Sequence, residues 1–166
     1  MARLSCLAPI VDERAQVLIL GSFPSAASLA AQRYYAHKQN QFWPILAALL
    51  ATPLPDLDYA DRQTALKAAG IAVWDVFSAC ERQGSLDSAI RRGEANDFAG
   101  LLARAPLIRR ACFNGQAAGK FAPILAGFGL ETVVLPSTSP ANAGQSFDAK
   151  LAQWRQALAP LLRPVS

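Results

Sequence analysis

The sequence predicts an α/β fold, three layers deep, with helices on both faces of a central four-stranded parallel sheet. Two observations predict it. Four short apolar, β-rich runs alternate along the chain with stretches of helical periodicity, the pattern of parallel strands joined by crossover helices. At 166 residues, 52% hydrophobic and only 17% charged, the chain can bury a substantial core and is too apolar to stay disordered.

The elements follow in order. Gln16-Val-Leu-Ile-Leu20 is the first strand and stops at Gly21. Phe42 to Leu50 reads as a helix, and so does Tyr59 to Ala69. Asp56, Asp58 and Asp61 look like the start of the second helix, and Gly70 like its C-cap. Ile71 to Phe77 is the second strand, followed by a helix from Asp97 to Ala105. Pro106 to Phe113 is the third strand, Ala117 to Ala126 a helix, and Glu131 to Leu135 the fourth strand. The last helix has the clearest signal: Phe147, Leu151, Trp154, Leu158 and Leu161 form one apolar stripe behind an N-cap Ser146. No repeat or low-complexity linker interrupts the chain, so a single domain is expected over residues 1–166.

Composition narrows the function. The longest apolar stretches, such as residues 45–51, fall far short of the ~20 residues of a membrane helix. Arg3, Asp12, Glu13 and Arg14 leave no signal peptide to read in residues 1–15, so a cytoplasmic protein with no membrane partner is expected. Cys6, Cys80 and Cys112 are widely spaced, and His37 is the only histidine. That set is too sparse for a zinc or iron–sulfur site, so three reduced core thiols, no metal and no cofactor are expected. A net charge of +4 and a pI near 9.3 suit a polyanionic partner without requiring one.

In open α/β sheets, ligands bind beyond the carboxyl ends of the strands. Four loops begin there. Gly21-Ser-Phe-Pro-Ser25 allows a tight turn into a helix whose backbone amides can hold an anion or fix a water, with Ser22 and Phe23 at the turn. It also suits a plain strand-to-helix turn, and it is neither a P-loop nor a dinucleotide fingerprint. Tyr34-Tyr-Ala-His-Lys-Gln-Asn-Gln-Phe-Trp43 supplies aromatics for stacking on a base, an amide for hydrogen bonding, and His37 with Lys38 for phosphate. Phe42 and Trp43 read as core; Tyr35 and Asn40, in the polar stretch before the helix, are the functional candidates. Asn114 can present a donor and an acceptor to one base edge, although Asn-Gly is also a common turn pair. Pro136-Ser-Thr-Ser-Pro140 is a semi-rigid loop able to approach a phosphate backbone closely, or simply a loop. Asp75, buried by pattern in the second strand, must be hydrogen-bonded or functional, and both readings stand. No G-x-S-x-G elbow exists, so an α/β-hydrolase triad is not expected.

Taken together, these four segments resemble the motifs of the uracil-DNA glycosylase superfamily, over nearly the whole chain. Gly21-Ser-Phe-Pro24 is similar to the first motif, Tyr35 to Trp43 to the segment that packs on the flipped base, Phe113-Asn-Gly115 to the base-reading strand end, and Pro136 to Pro140 to the loop that pinches the backbone and wedges into the duplex. Trp74-Asp-Val-Phe77, Gly84-Ser-Leu-Asp-Ser88 and Asn96-Asp97 resemble most the hypoxanthine (deoxyinosine) branch, near the mismatch-specific uracil/thymine branch. Many members carry Asp or Asn where this chain has Phe23, and that residue positions the attacking water. The resemblance therefore implies Asn40 as the catalytic residue. It implies base contacts from Tyr35, Asn114 and the backbone at Ser22 and Phe23, and DNA-backbone or wedge contacts from Ser137, Thr138, Ser139 and Pro140. Asp75 and His37 remain additional candidates. The function expected is a monomeric, monofunctional DNA glycosylase acting on DNA that contains deaminated bases, with hypoxanthine favoured over uracil or xanthine. The rivals are a damage-binding module without chemistry and a nucleoside hydrolase.

Overall fold

The computed structural model describes residues 2–164. Its strands are β1 (Arg3–Ser5), β2 (Val17–Gly21), β3 (Ile71–Asp75), β4 (Phe77–Glu81), β5 (Arg91–Ala95), β6 (Arg110–Asn114) and β7 (Glu131–Leu135). Its α-helices are α1 (Ala26–Ala31), α2 (Phe42–Leu50), α3 (Tyr59–Ala69), α4 (Phe98–Arg104), α5 (Gln116–Gly119), α6 (Ala122–Gly127) and α7 (Phe147–Leu158).

The four predicted strands pair in parallel, in the order β3-β2-β6-β7. Every residue of β2 is buried, because it is central and covered on both faces. Val17 and Ile19 point into one core, with Phe42, Leu46, Leu66 and Trp154 from α2, α3 and α7. Leu18 and Leu20 alternate into a second core, with Phe98, Leu101, Ala118 and Leu125 from α4, α5 and α6. The expected three-layer α/β/α architecture results. No helix among the described residues is long and apolar enough to cross a membrane.

Local chemistry places several boundaries as expected. Asp58 caps α3, its side chain accepting from the Asp61 N–H, and Gly70 closes the helix in the left-handed region at φ 85°. Ser146 caps α7 by accepting from the Ala149 N–H. Other boundaries differ. The run from Ile71 to Phe77 is two strands: β3 leaves the parallel ladder after Asp75, and β4 enters a second, antiparallel sheet of order β1-β4-β5. The third strand begins at Arg110, since Pro106 and Leu107 form a turn. The helix from Ala117 to Ala126 is split into α5 and α6: Pro123 has no N–H and would clash with a preceding carbonyl, so it is accommodated only in the first turn of a new helix. Leu161 ends the α7 stripe from a 3₁₀ turn beyond the helix. Cys80 and Cys112 are buried free thiols, whereas Cys6 is half-buried beside Asn96.

The chain runs from β2 to β3 on one side and then crosses to β6 on the other. The strand order thus reverses between β2 and β6, where a crevice opens beyond the carboxyl ends. In register, Gly21 lies beside Asp75 and Leu20 beside Phe113, so Gly21, Asp75 and Asn114 end the sheet together.

Candidate active site

A cavity of about 370 Å³ lies at this reversal, a volume within the usual range for a small ligand. Its lining includes Ser22 and Phe23 from the turn after β2, Tyr35 and Asn40 from the segment before α2, Asp75 from β3, Asn114 from β6, and Ser137, Thr138 and Ser139 from the loop after β7. Tyr35, Asn40 and Asn114, which stand far apart in the chain, share one space. His37 and Pro140 are exposed and do not line it. His37 uses Nδ1 to accept from the Gln39 N–H.

Each polar side chain is held in a defined orientation. The Asn114 Nδ2 donates to the Thr138 hydroxyl (3.0 Å), and the Thr138 N–H donates to Asn114 Oδ1 (2.9 Å). One N–H and one lone pair of the Asn114 amide are left over, a donor and an acceptor on a fixed edge. Thr138 is only 1% exposed, and its hydroxyl accepts from Asn114, so it faces that side chain rather than open solvent. Its role is to orient Asn114. Thr138→Val removes that acceptor at nearly constant volume, and should cost about 1–3 kcal/mol in urea unfolding, whereas Thr138→Ser should not.

Asn40 precedes α2, and its Oδ1 accepts from the Phe42 N–H (2.9 Å). That bond fixes which end of the amide is oxygen and leaves Oδ1 one lone pair. The Gln41 N–H donates to the Thr138 carbonyl (3.0 Å), tying this segment to the loop after β7. Tyr35 adopts φ 56°, a costly conformation for a residue with a bulky side chain. The anchors lie on either side of it: Tyr34 donates through its hydroxyl to the Leu7 carbonyl, and the Ala36 N–H donates to Ser28 Oγ. The Tyr35 ring meets Phe42 edge-on at 4.1 Å.

Asp75 is 3% exposed, and its Oδ2 has no hydrogen-bond partner, as is also true of the Tyr35 hydroxyl. Both crowd Gly21: a Cβ there would fall 2.6 Å from Asp75 Oδ1 and 3.0 Å from the Tyr35 oxygen. Burial, reinforced by the Asp87 carboxylate and opposed by Arg82, pushes the Asp75 carboxyl up to about 8. At neutral pH it therefore carries its proton. Two unpartnered polar groups beside a cavity are costly to a fold and informative about what the cavity admits.

Phe23 is an apolar wall, with the Arg82 guanidinium 5.3 Å above its ring. Arg82 also donates to the Pro24 carbonyl (2.6 Å) and the Gly84 carbonyl (2.8 Å), and Ser22 donates its hydroxyl to Asp87. These bonds bring residues 85–88 into the lining. The sequence singled out Gly84 to Ser88 only as a point of resemblance, and no local signal marked Arg82 or Leu86 as neighbours of the site. On the other side, the loop after β7 is braced by Lys150, whose Nζ donates to the Asn142 carbonyl (2.7 Å). Among the described residues, no group of His, Cys, Asp and Glu side chains could hold a metal ion.

The chain is similar to known proteins over most of its length. The family model described as the Uracil DNA glycosylase superfamily matches residues 8–162. A protein of Methanosarcina acetivorans named hypoxanthine DNA glycosylase is 45% identical over 133 residues, covering 80% of this chain and 84% of its own. One of the same name from Methanosarcina barkeri is 38% identical over 149 residues, covering 90% and 94%. The solution NMR structure of a candidate uracil DNA glycosylase from Methanosarcina acetivorans superposes with a TM-score of 0.87 at 39% identity, over 96% of this chain and 99% of that one.

Proposed function

Because the chain belongs to the uracil DNA glycosylase superfamily, we propose that it is a monofunctional DNA glycosylase that removes deaminated bases, hypoxanthine foremost, from DNA. The observation that carries the reading is the single cavity shared by Tyr35, Asn40 and Asn114.

The target nucleotide leaves the stack at a cost of a few kcal/mol, least when it is mispaired, and its base enters the cavity. Tyr35 stacks on the base. The free edge of the Asn114 amide, held by Thr138, hydrogen-bonds the base, and the backbone amides of Ser22 and Phe23 supply further donors. Asn40, through the remaining lone pair of Oδ1, accepts a hydrogen bond from a water and aims its oxygen at the sugar C1′. As the C1′–N bond breaks, its electron pair leaves with the base, the water oxygen bonds to C1′ and gives up a proton to solvent, and the departing base takes a proton from solvent. Donors fixed in advance around the departing base lower this barrier most. A neutral Asp75 suits that chemistry, because a carboxylate at the same place would repel the negative charge growing on the base. No lysine lines the cavity, so no imine with the sugar is formed and an abasic site remains. Ser137 and Ser139 meet phosphates, contacts that position without reading sequence. The protein works as a monomeric single domain.

The reading is tested on duplexes carrying labelled hypoxanthine, uracil or xanthine, treated with alkali after incubation. Hypoxanthine is expected to be released fastest, with binding that weakens steeply as salt rises. Damage-dependent binding without release of any base identifies a binding module instead. Cleavage of free inosine with little salt dependence identifies a nucleoside hydrolase.

A further inference from the structure

Of the described residues that line the cavity, only Asp75 and Asp87 carry an acidic or basic side chain. They differ in depth. Asp75 is buried with Asn114 and Thr138 on the floor, and burial keeps its proton in place at neutral pH. Asp87 is exposed, on the loop of residues 85–88 that borders the opening. No Lys or Arg among the described residues forms an ion pair with it. The Ser22 hydroxyl donates to its Oδ1 and leaves Oδ2 available. An exposed carboxylate is ordinarily a solvated surface charge. This one is distinguished by its support. The Ala26 N–H donates to Ser85 Oγ (2.9 Å), and Arg82 grips the Gly84 carbonyl (2.8 Å). The 3₁₀ turn Asp87–Ala89 then closes with the Ile90 N–H donating to the Asp87 carbonyl (3.1 Å). A fixed negative charge thus stands at the opening of a cavity that receives part of a polyanion. A charge of that sign works against phosphate binding, in a chain whose net charge is +4.

We propose that Asp87 is a catalytic residue: its carboxylate faces the sugar of the extruded nucleotide and stabilises the positive charge that grows there as the base departs. The proposal rests on the glycosylase reading and adds to it a partner for the sugar. A nucleotide enters base first. With its base among the buried groups, its deoxyribose stops at the opening, beside Ser22 and Asp87. Breaking the C1′–N bond puts the electron pair on the base and leaves the sugar electron-poor. The two ends therefore need opposite surroundings: donors and a neutral carboxyl at the base, a negative charge at the sugar. Environment sorts the two aspartates into those roles, a buried protonated carboxyl at one end and an exposed carboxylate at the other. The Asp87 carboxylate forms no bond to the sugar, so water still supplies the new C1′–O bond. Because Ser22 holds it before the substrate arrives, little reorganisation is needed during the reaction.

The test compares the full chain with Asp87→Asn, which keeps an acceptor for the Ser22 hydroxyl while removing the charge. Single-turnover release of hypoxanthine from a duplex at pH 7 is expected to slow about a hundredfold in the variant. Binding is then measured to two duplexes without a base at the target position. One carries a neutral tetrahydrofuran in place of the sugar, the other a pyrrolidine that is positively charged. The wild type should prefer the cationic duplex by about tenfold or more. Asp87→Asn should lose most of that preference while binding the neutral duplex at least as tightly, which also shows that it is folded. An unchanged rate overturns the proposal, as does a preference for the cationic duplex that survives the substitution. Binding of the neutral duplex that weakens as much as the rate assigns Asp87 to holding its loop, and overturns it too. A wild type that releases no base from any duplex is a different result: it removes the glycosylase reading, and this proposal with it.

Discussion

Replacing Asn40 with Ala should slow hypoxanthine release by about two to three orders of magnitude, the range for losing one preorganised polar contact in the transition state. Binding to the same duplex should change little, because stacking and phosphate contacts lie elsewhere. The substitution also deletes the hydrogen bond from the Phe42 N–H to Oδ1, which satisfies a backbone donor at the start of α2. Loss of such a bond costs about 1 kcal/mol, enough to shift an unfolding midpoint but far too little to account for the rate. Asn40→Asp separates the two roles, since a carboxylate keeps both the acceptor for the Phe42 N–H and a lone pair for water. Its stability should match the wild type, and its rate should lie well above that of Asn40→Ala. A full rate in Asn40→Ala would place the water on another group, with Asp75 the next to be tested.

The second large effect concerns Asp75, and it is a gain in stability. Its folded value near 8 stands far above the ordinary 3.8 of the unfolded chain. Between those two values the folded protein binds one more proton than the unfolded chain, so stability falls as pH rises from about 4 to about 8 and is level above. Each unit of separation is about 1.4 kcal/mol, so the total penalty at pH 9 is on the order of several kcal/mol. Asp75→Asn removes the titration and should melt at higher denaturant concentration than the wild type at pH 9, with the difference vanishing toward pH 4. In the wild type, base release should decline above pH 8 as the new carboxylate opposes charge on the departing base. Asp87 and Arg82 face Asp75 with opposite effects and remain in the variant, so loss of the alkaline decline in Asp75→Asn belongs to residue 75 itself. A wild-type rate that stays flat from pH 6 to 10 would refute this account. A protein that carries a stability cost at its site is trading it against function.

Much of this molecule is written locally. The four sheet strands appear as apolar runs, and α2 and α3 have the bounds that periodicity, the Asp58 cap and Gly70 indicate. The reading of the family from four short motifs agrees with the match over residues 8–162. Two of the failures come from partners distant in the chain, and one from a local signal passed over. Ile71 to Phe77 is one continuous β-rich run, and nothing within it reveals that its last residue pairs in a different sheet. Pro123 did carry a local signal, a missing N–H, that ends one helix and begins the next. Thr138 looked like a surface hydroxyl because Ser137 and Ser139 beside it are polar, yet it turns inward to Asn114, a partner 24 positions away.

The sequence by itself determined the four strands of the central sheet and helices α2, α3, α4 and α7, their apolar faces, and that Tyr35, Asn40 and Asn114 sit at or beyond the strand ends. Those are properties of residue type and short-range spacing, set by backbone sterics and by the period of the apolar pattern. Only the tertiary structure decided that the order reverses between β2 and β6, that Thr138 locks Asn114, that residues 85–88 wall the cavity, and that Asp75 lies buried without a partner. Each depends on pairs of residues distant in the chain, and the energy of a buried hydrogen bond or an isolated carboxyl is set by what surrounds it once the layers close.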